Sequence, residues 1–139
     1  MLVEELFEQT LIDAVTDSLS LDGFMVTNVP LRPAESDSEK VVFIDLSRVS
    51  YEPKSMESWF EYWAELEINI GILCREKTEA YSASIKIFDS IHSIIQTDTR
   101  YKKVDIDSVK NSVETGGNRS FYMKNMTLML KYVEDYSNG

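Results

Sequence analysis

The clearest regularity along the chain lies between Phe60 and Cys74. Positions 60, 62, 64, 66, 68, 70, 72 and 74 are Phe, Tyr, Ala, Leu, Ile, Ile, Ile and Cys, while Trp59, Glu61, Trp63, Glu65, Glu67, Asn69 and Gly71 occupy the alternate positions. A period of two places every second side chain on the same face of a β-strand, so one face packs on a core and the other does not. A helix would scatter these residues around its circumference. At about 3.3 Å per residue the strand would run roughly 50 Å, longer than a compact domain requires. That predicts a bend at Gly71 or a long hairpin projecting beyond the body.

The flanking segments carry other periods. Leu2, Val3, Leu6, Phe7, Leu11, Ala14 and Val15 recur at three- and four-residue spacing, with Glu4, Glu5, Glu8, Asp13 and Asp17 mostly opposite them. This is an amphipathic helix ending near Leu19-Ser20, followed by a turn at Asp22-Gly23. Residues 24–29 read as a short strand broken by Pro30 and Pro33, and residues 34–40 as a polar exposed loop. The β-branched and aromatic run from Val41 to Tyr51 is a further strand, ended by Pro53. A second helix is predicted over 78–96, with Thr78 as N-cap and apolar stripes through Ala80, Ala83, Ile87, Ile91 and Ile94 and through Tyr81, Ile85, Phe88 and Ile95.

Val104, Ile106, Val109 and Val113 mark the next strand, with a bulge near Ser108 where the alternation shifts. Gly116-Gly117-Asn118 is a turn. The last strand, 121–133, places Tyr122, Met126, Leu128, Leu130 and Tyr132 on one face. The predicted order is α-β-β-β-α-β-β. Strands grouped in hairpins favour an α+β domain: an antiparallel sheet with two helices packed on it, with residues 1–139 forming a single domain.

Composition narrows the function. The chain of 139 residues is 43% hydrophobic and 27% charged, so it needs no disulfide or metal to fold. Cys74 is its one cysteine and excludes an internal disulfide. Glu4 and Glu5 do not suit a secretory leader, and no apolar run approaches the ~20 residues of a membrane span. The expectation is a protein made in the cytoplasm. Its net charge of −10 opposes phosphate binding. Arg100-Tyr101-Lys102-Lys103, the one tight basic cluster, reads as a solvated turn. An acidic surface suits solubility, or a wall along which DNA slides without sticking.

Catalytic chemistry finds little support. The one histidine, His92, falls beside Phe88 and Ile95 on the second helix and reads as a partly buried structural imidazole. Cys74 shares the face of Ile70 and Ile72 and reads as a small core residue. Glu61, Glu65 and Glu67 share one strand face, and Asp105 and Asp107 another. A two-metal nuclease uses such groups, but with a nearby lysine and a surface that attracts DNA. No phosphate loop, dinucleotide fingerprint or paired Cys/His set is present. The chain reads as a non-enzyme without cofactor or metal. Trp59 and Trp63 lie on the polar face near the strand's start, with Tyr51 and Tyr62 around the turn at Pro53. Large aromatics there are either covered by the same domain or contact another chain. Tyr51, Trp59, Tyr62 and Trp63 are therefore candidate subunit or partner contacts.

The helix Ile85-Lys86-Ile87-Phe88-Asp89-Ser90-Ile91 with its following loop, the closing strand Met126-Thr127-Leu128-Met129-Leu130-Lys131-Tyr132, and the size, acidity and element order of the whole chain carry a resemblance. In layout, though not in any motif, the chain resembles the tail terminator (tail completion) proteins of long-tailed bacteriophages. The resemblance implies a homo-oligomeric ring, usually a hexamer, located in the virion tail. Such a ring sits on the tail tube protein, ends tube polymerisation and offers a surface to head–tail connector proteins. It implies no catalytic residues, cofactor or membrane. DNA would pass through without specific binding, and Glu61, Glu65 and Glu67 are the candidate lumen lining. The alternative expectation is a small acidic binding or inhibitor protein that neutralises a basic partner. A carboxylate-based nuclease using Glu65 or Asp107 is a third.

Overall fold

A computed structural model describes residues 3–28, 40–53, 61–116 and 119–135. Helix α1 (Val3–Leu19) runs into a single 3-10 turn (Ser20–Asp22), then β1 (Met25–Thr27), β2 (Val41–Pro53), β3 (Glu61–Cys74), α2 (Lys77–Ile95), β4 (Tyr101–Gly116) and β5 (Arg119–Asp135). The domain is α+β, and the element order agrees with the periodicities. The described strands form one sheet in the order β1-β2-β3-β5-β4.

Two details of the expected sheet are corrected. Although the other neighbours pair antiparallel, β1 runs parallel to β2 through Met25↔Val41 to Thr27↔Phe43, so the sheet is mixed. Parallel neighbours need a connection of about a dozen residues, and the chain between Thr27 and Val41 is that long. Nor does β3 stand out as half of a two-stranded arm. It pairs with β2 as far as Pro53↔Tyr62 and with β5 from Glu61↔Asp135 to Cys74↔Tyr122, so it has a neighbour on each side along nearly all of its length. The tip expected at residues 54–60 lies outside the described residues, as does the turn at 117–118.

Gly71 does not bend the strand. It faces Phe43 across the β2–β3 ladder, and a Cβ at Gly71 would run into the Phe43 ring. The glycine therefore makes room for an aromatic lying flat over its backbone. Irregularity sits instead in β2, where the register shifts between Leu46 and Arg48, and in β4, between Tyr101 and Lys103 and between Ile106 and Ser108. The last of these is the bulge expected near Ser108.

Both helices cover one face of the sheet. Helix α1 buries Val3, Phe7, Leu11, Val15 and Leu19, a strict four-residue stripe, and α2 buries Ala80, Ala83, Ile87, Ile91 and Ile94 among others. They rest on Ala64, Leu66, Ile68, Ile70, Ile72 and Cys74 of β3 and Met126, Leu128, Leu130 and Tyr132 of β5, all in one continuous core. Each such aliphatic side chain contributes about 1.5–3 kcal/mol by leaving water. Helix α2 begins one residue earlier than expected. Glu76, not Thr78, is its N-cap, in a capping box with Glu79.

The chain ends of the core are tied together by a carboxylate. The backbone N–H of Val3 donates to Glu134 Oε1 at 3.0 Å, and Glu134 is buried. An otherwise unpaired donor of the first turn of α1 thus meets an anion where the helix dipole favours one. Burial, and then the neighbouring Glu134, Glu5 and Glu8, push the Glu4 carboxyl up from its ordinary value. Phe7 meets Tyr101 edge to face with ring centres 5.5 Å apart, joining α1 to the start of β4.

Candidate functional site

The odd-numbered residues of β3 point away from the helices, and there the sheet carries polar side chains. Ser47 on β2 donates to the Glu67 carboxylate. Asn69 Nδ2 donates to Ser47 Oγ at 2.7 Å, and Thr127 Oγ1 of β5 donates to Asn69 Oδ1 at 3.1 Å. This ladder spans three strands. Glu67 is therefore held in a network, whereas Glu65 is exposed and registers with Lys131. The Lys131 ammonium lies 5.4 Å from the centre of the Trp63 ring. Ser50, Glu52, Trp63, Glu65 and Lys131 line a small surface recess.

The candidate contact residues do not converge. Trp63 stands on this open face against Lys131. Tyr62 and Tyr51 belong to the helix-covered face, where their rings meet edge to face at 6.2 Å. Tyr132, fully buried next to them, has its hydroxyl pKa raised by burial and then by Tyr51. Consecutive residues of a strand face opposite ways, which puts Trp63 on the other side of the sheet from Tyr62, and Tyr51 is 39% exposed. Trp59 lies outside the described residues. The glutamates do share a face, but Lys131 stands beside Glu65, so the surface there is mixed and not uniformly acidic.

Potential catalytic groups fare no better as a set. Cys74 is buried, its Sγ–H pointing at the Glu76 carbonyl at 3.1 Å, and burial pushes the thiol up to about 11. It is protonated at neutral pH and is no nucleophile. His92 is exposed, not partly buried as the periodicity suggested, with Gln96 Nε2 3.4 Å from its Nε2. It sits in the last turn of α2. Asp105 and Asp107 are separated by the β4 bulge and both are exposed. Among the described residues no three His, Cys, Asp or Glu side chains gather as a metal site, and no helix is long and apolar enough to cross a membrane.

A surface that periodicity did not single out lies at the edge of the sheet. Ile106, Val109 and Val113 of β4 register with Leu128, Met126 and Tyr122 of β5, on the helix side. Yet they are exposed, Ile106 by 59% and Val113 by 72%. Helix α2 overhangs β3 and β5 and stops short of β4. On α2, Tyr81, with the Lys124 ammonium 4.8 Å from the ring centre, and Ile85, 62% exposed, are likewise uncovered. No described strand pairs with the outer edge of β4. A long edge strand with uncovered apolar side chains is the sort of edge that natural proteins ordinarily blunt. The pattern alone showed which face these residues take. Only the reach of α2 decides that they are left uncovered.

In comparison with known proteins, the chain matches no family model, and no curated protein is similar enough to count as a relative.

Proposed function

We propose that the protein is a structural subunit of a bacteriophage virion, a tail terminator whose copies form a ring on the end of the tail tube. In this role it ends tube polymerisation and offers its outer surface to the head–tail connector. It acts by contact, not by catalysis, and needs neither metal nor cofactor. One observation carries the proposal: among the described residues no strand lies beyond the outermost strand β4, and that strand presents a row of exposed apolar residues on the helix side of the sheet. Such an edge is suited to joining chains. A ring also requires a contact that is the same for every subunit and closes on itself.

The open face of the sheet supplies the candidate lumen wall. Glu61, Glu65 and Glu67 there lie in a chain with ten more acidic than basic charges, so passing DNA would find no array of cations to hold it. The acidic-inhibitor reading is weaker, because a mimic needs an unbroken anionic surface and Lys131 interrupts this one. Addition of the purified protein to polymerising tail tubes tests the proposal. Shortened tubes bearing a ring at one end by electron microscopy are expected. Tubes of unchanged length with bare ends would overturn it.

A further inference from the structure

Strand β4 carries a bulge near its middle, and the bulge changes which of its residues face which way. Before it, Val104 and Ile106 register with the core residues Leu130 and Leu128 on the helix side, while Lys103 and Asp105 take the open face. The ladder then skips Asp107, because Ile106 pairs with Leu128 and Ser108 already pairs with Thr127. One extra residue inverts the alternation of a strand. Beyond the bulge Val109 therefore lies on the helix side opposite Met126, and Ser108 and Lys110 lie on the open face. Even-numbered residues face the helices before Asp107, and odd-numbered ones after it.

That inversion makes the strand complementary to itself. Two copies of β4 can be set antiparallel about a two-fold axis that passes through Ser108, normal to the sheet. Ile106 of one copy then stands opposite Val109 of the other on the helix side, and Asp105 opposite Lys110 on the open face. Each pair occurs twice, and all four side chains are exposed in the single chain. Joining gives the apolar residues cross-strand partners and sets a carboxylate against an ammonium. The neighbouring registers that keep the faces matched lack this fit. One opposes Lys103 to Lys110, the other opposes Ile106 to Asn111, and in both Asp107 is again an unmatched extra residue. Charge does not oppose the contact locally. In a chain of net charge −10, the stretch 103–112 contains two lysines and two aspartates.

We infer that two copies of this chain pair through β4, edge to edge and antiparallel about Ser108, so that the sheet of one continues into the sheet of the other. The contact is isologous, the same strand serving on both sides. A two-fold axis normal to the sheet keeps the helices of both copies on one side. Among the described residues no strand lies beyond β4, and the pairing covers an edge that the single chain leaves open to any other strand. The inference goes beyond the ring reading and does not depend on it. Because the pair occupies β4 in both copies, on that reading it is the free form of the protein and opens before β4 joins a ring.

Charge reversal across the axis tests it. Asp105→Lys and Lys110→Asp are made singly, both at exposed positions, with circular dichroism melting to confirm the fold. By analytical ultracentrifugation the wild type is expected to be a dimer. Each variant alone opposes like charges twice and should dimerise about tenfold more weakly. Mixed, the two variants set lysine against aspartate at both places, and association should return to within about threefold of wild type. Ser108→Cys gives a readout independent of charge. Directly opposed residues of antiparallel strands stand about 4.5–5.5 Å apart at Cα, within disulfide reach, and the native Cys74 is buried. Mild oxidation should therefore link position 108 of one copy to position 108 of the other. A wild type that is monomeric at the highest attainable concentration overturns the pairing, as does a dimer that neither reversal weakens and that does not crosslink at 108. Variants that weaken but do not rescue each other would mean that β4 meets a different surface, which overturns the two-fold contact. Capping of tail tubes is scored separately: a monomer that still caps them loses this contact and keeps the ring reading.

Discussion

Strands β3 and β4 both place apolar residues on the helix side of one sheet, β3 by strict alternation and β4 with the alternation shifted at its bulges. Their fates differ. Leu66, Ile68, Ile70 and Ile72 of β3 are essentially inaccessible, whereas Ile106, Val109 and Val113 of β4, two strands away, stand largely in water. Alternation determines which way a side chain points relative to its neighbours. It does not determine whether anything lies above it. Two helices side by side cover β3 and β5 and leave the outermost strand bare, and on the proposed function that bare strip is the working surface.

The contrast is sharpest when the same substitution is made on both strands. Ile68→Ala removes a fully buried side chain beneath both helices, and about 2–5 kcal/mol of unfolding free energy should be lost. Urea denaturation at a dilution that keeps the protein monomeric measures it. A loss below about 1 kcal/mol would mean that the core over β3 is far looser than its burial implies. Gly71→Ala probes the opposite face of the same strand. The new methyl must displace the Phe43 ring, at an expected cost of about 1–3 kcal/mol, and Gly71→Ala combined with Phe43→Ala should recover part of it. Absence of any recovery in that double variant would show that the glycine serves something other than the ring.

Ile106→Ala on β4 should cost about 1 kcal/mol or less under the same conditions, because more than half of the side chain is already in water. Its larger effect is expected in self-association. A stability loss equal to that of Ile68→Ala would erase the distinction between the strands.

The smallest effect concerns how β4 is anchored. Asp98 accepts hydrogen bonds from the Arg100 side chain at 2.6 and 3.0 Å in the turn that leads into the strand, and that pairing holds its carboxyl below the ordinary value of 3.8. The stabilisation is present above pH 4 and fades as the pH falls through the depressed folded-state value. Both partners are part-exposed, so Asp98→Asn should cost under about 1 kcal/mol at neutral pH. The gap between variant and wild type should close in acid. A gap that persists unchanged well below the ordinary carboxylate range would assign the effect to the turn geometry and not to the charge.

Much of this molecule was written in local pattern. The four-residue stripe of α1, the alternation of β3 and the shifted alternation at Ser108 each follow from the spacing of apolar residues, because the backbone of each element imposes its own period. The class of fold and the order of its elements come with them. Other features depended on residues far apart in the chain. β1 is parallel because of how the sheet is threaded, Gly71 makes room for the Phe43 ring across the ladder, and Tyr62 and Trp63 separate because a strand turns neighbours to opposite faces. Even the charge of each segment can be counted from the sequence. That the acidic first turns of α1 meet Glu134 and Tyr101 at the far end of the chain, and that Ile106, Val109 and Val113 stand uncovered, was decided only by the packing, since spatial adjacency is a property of the packed chain and not of its local period.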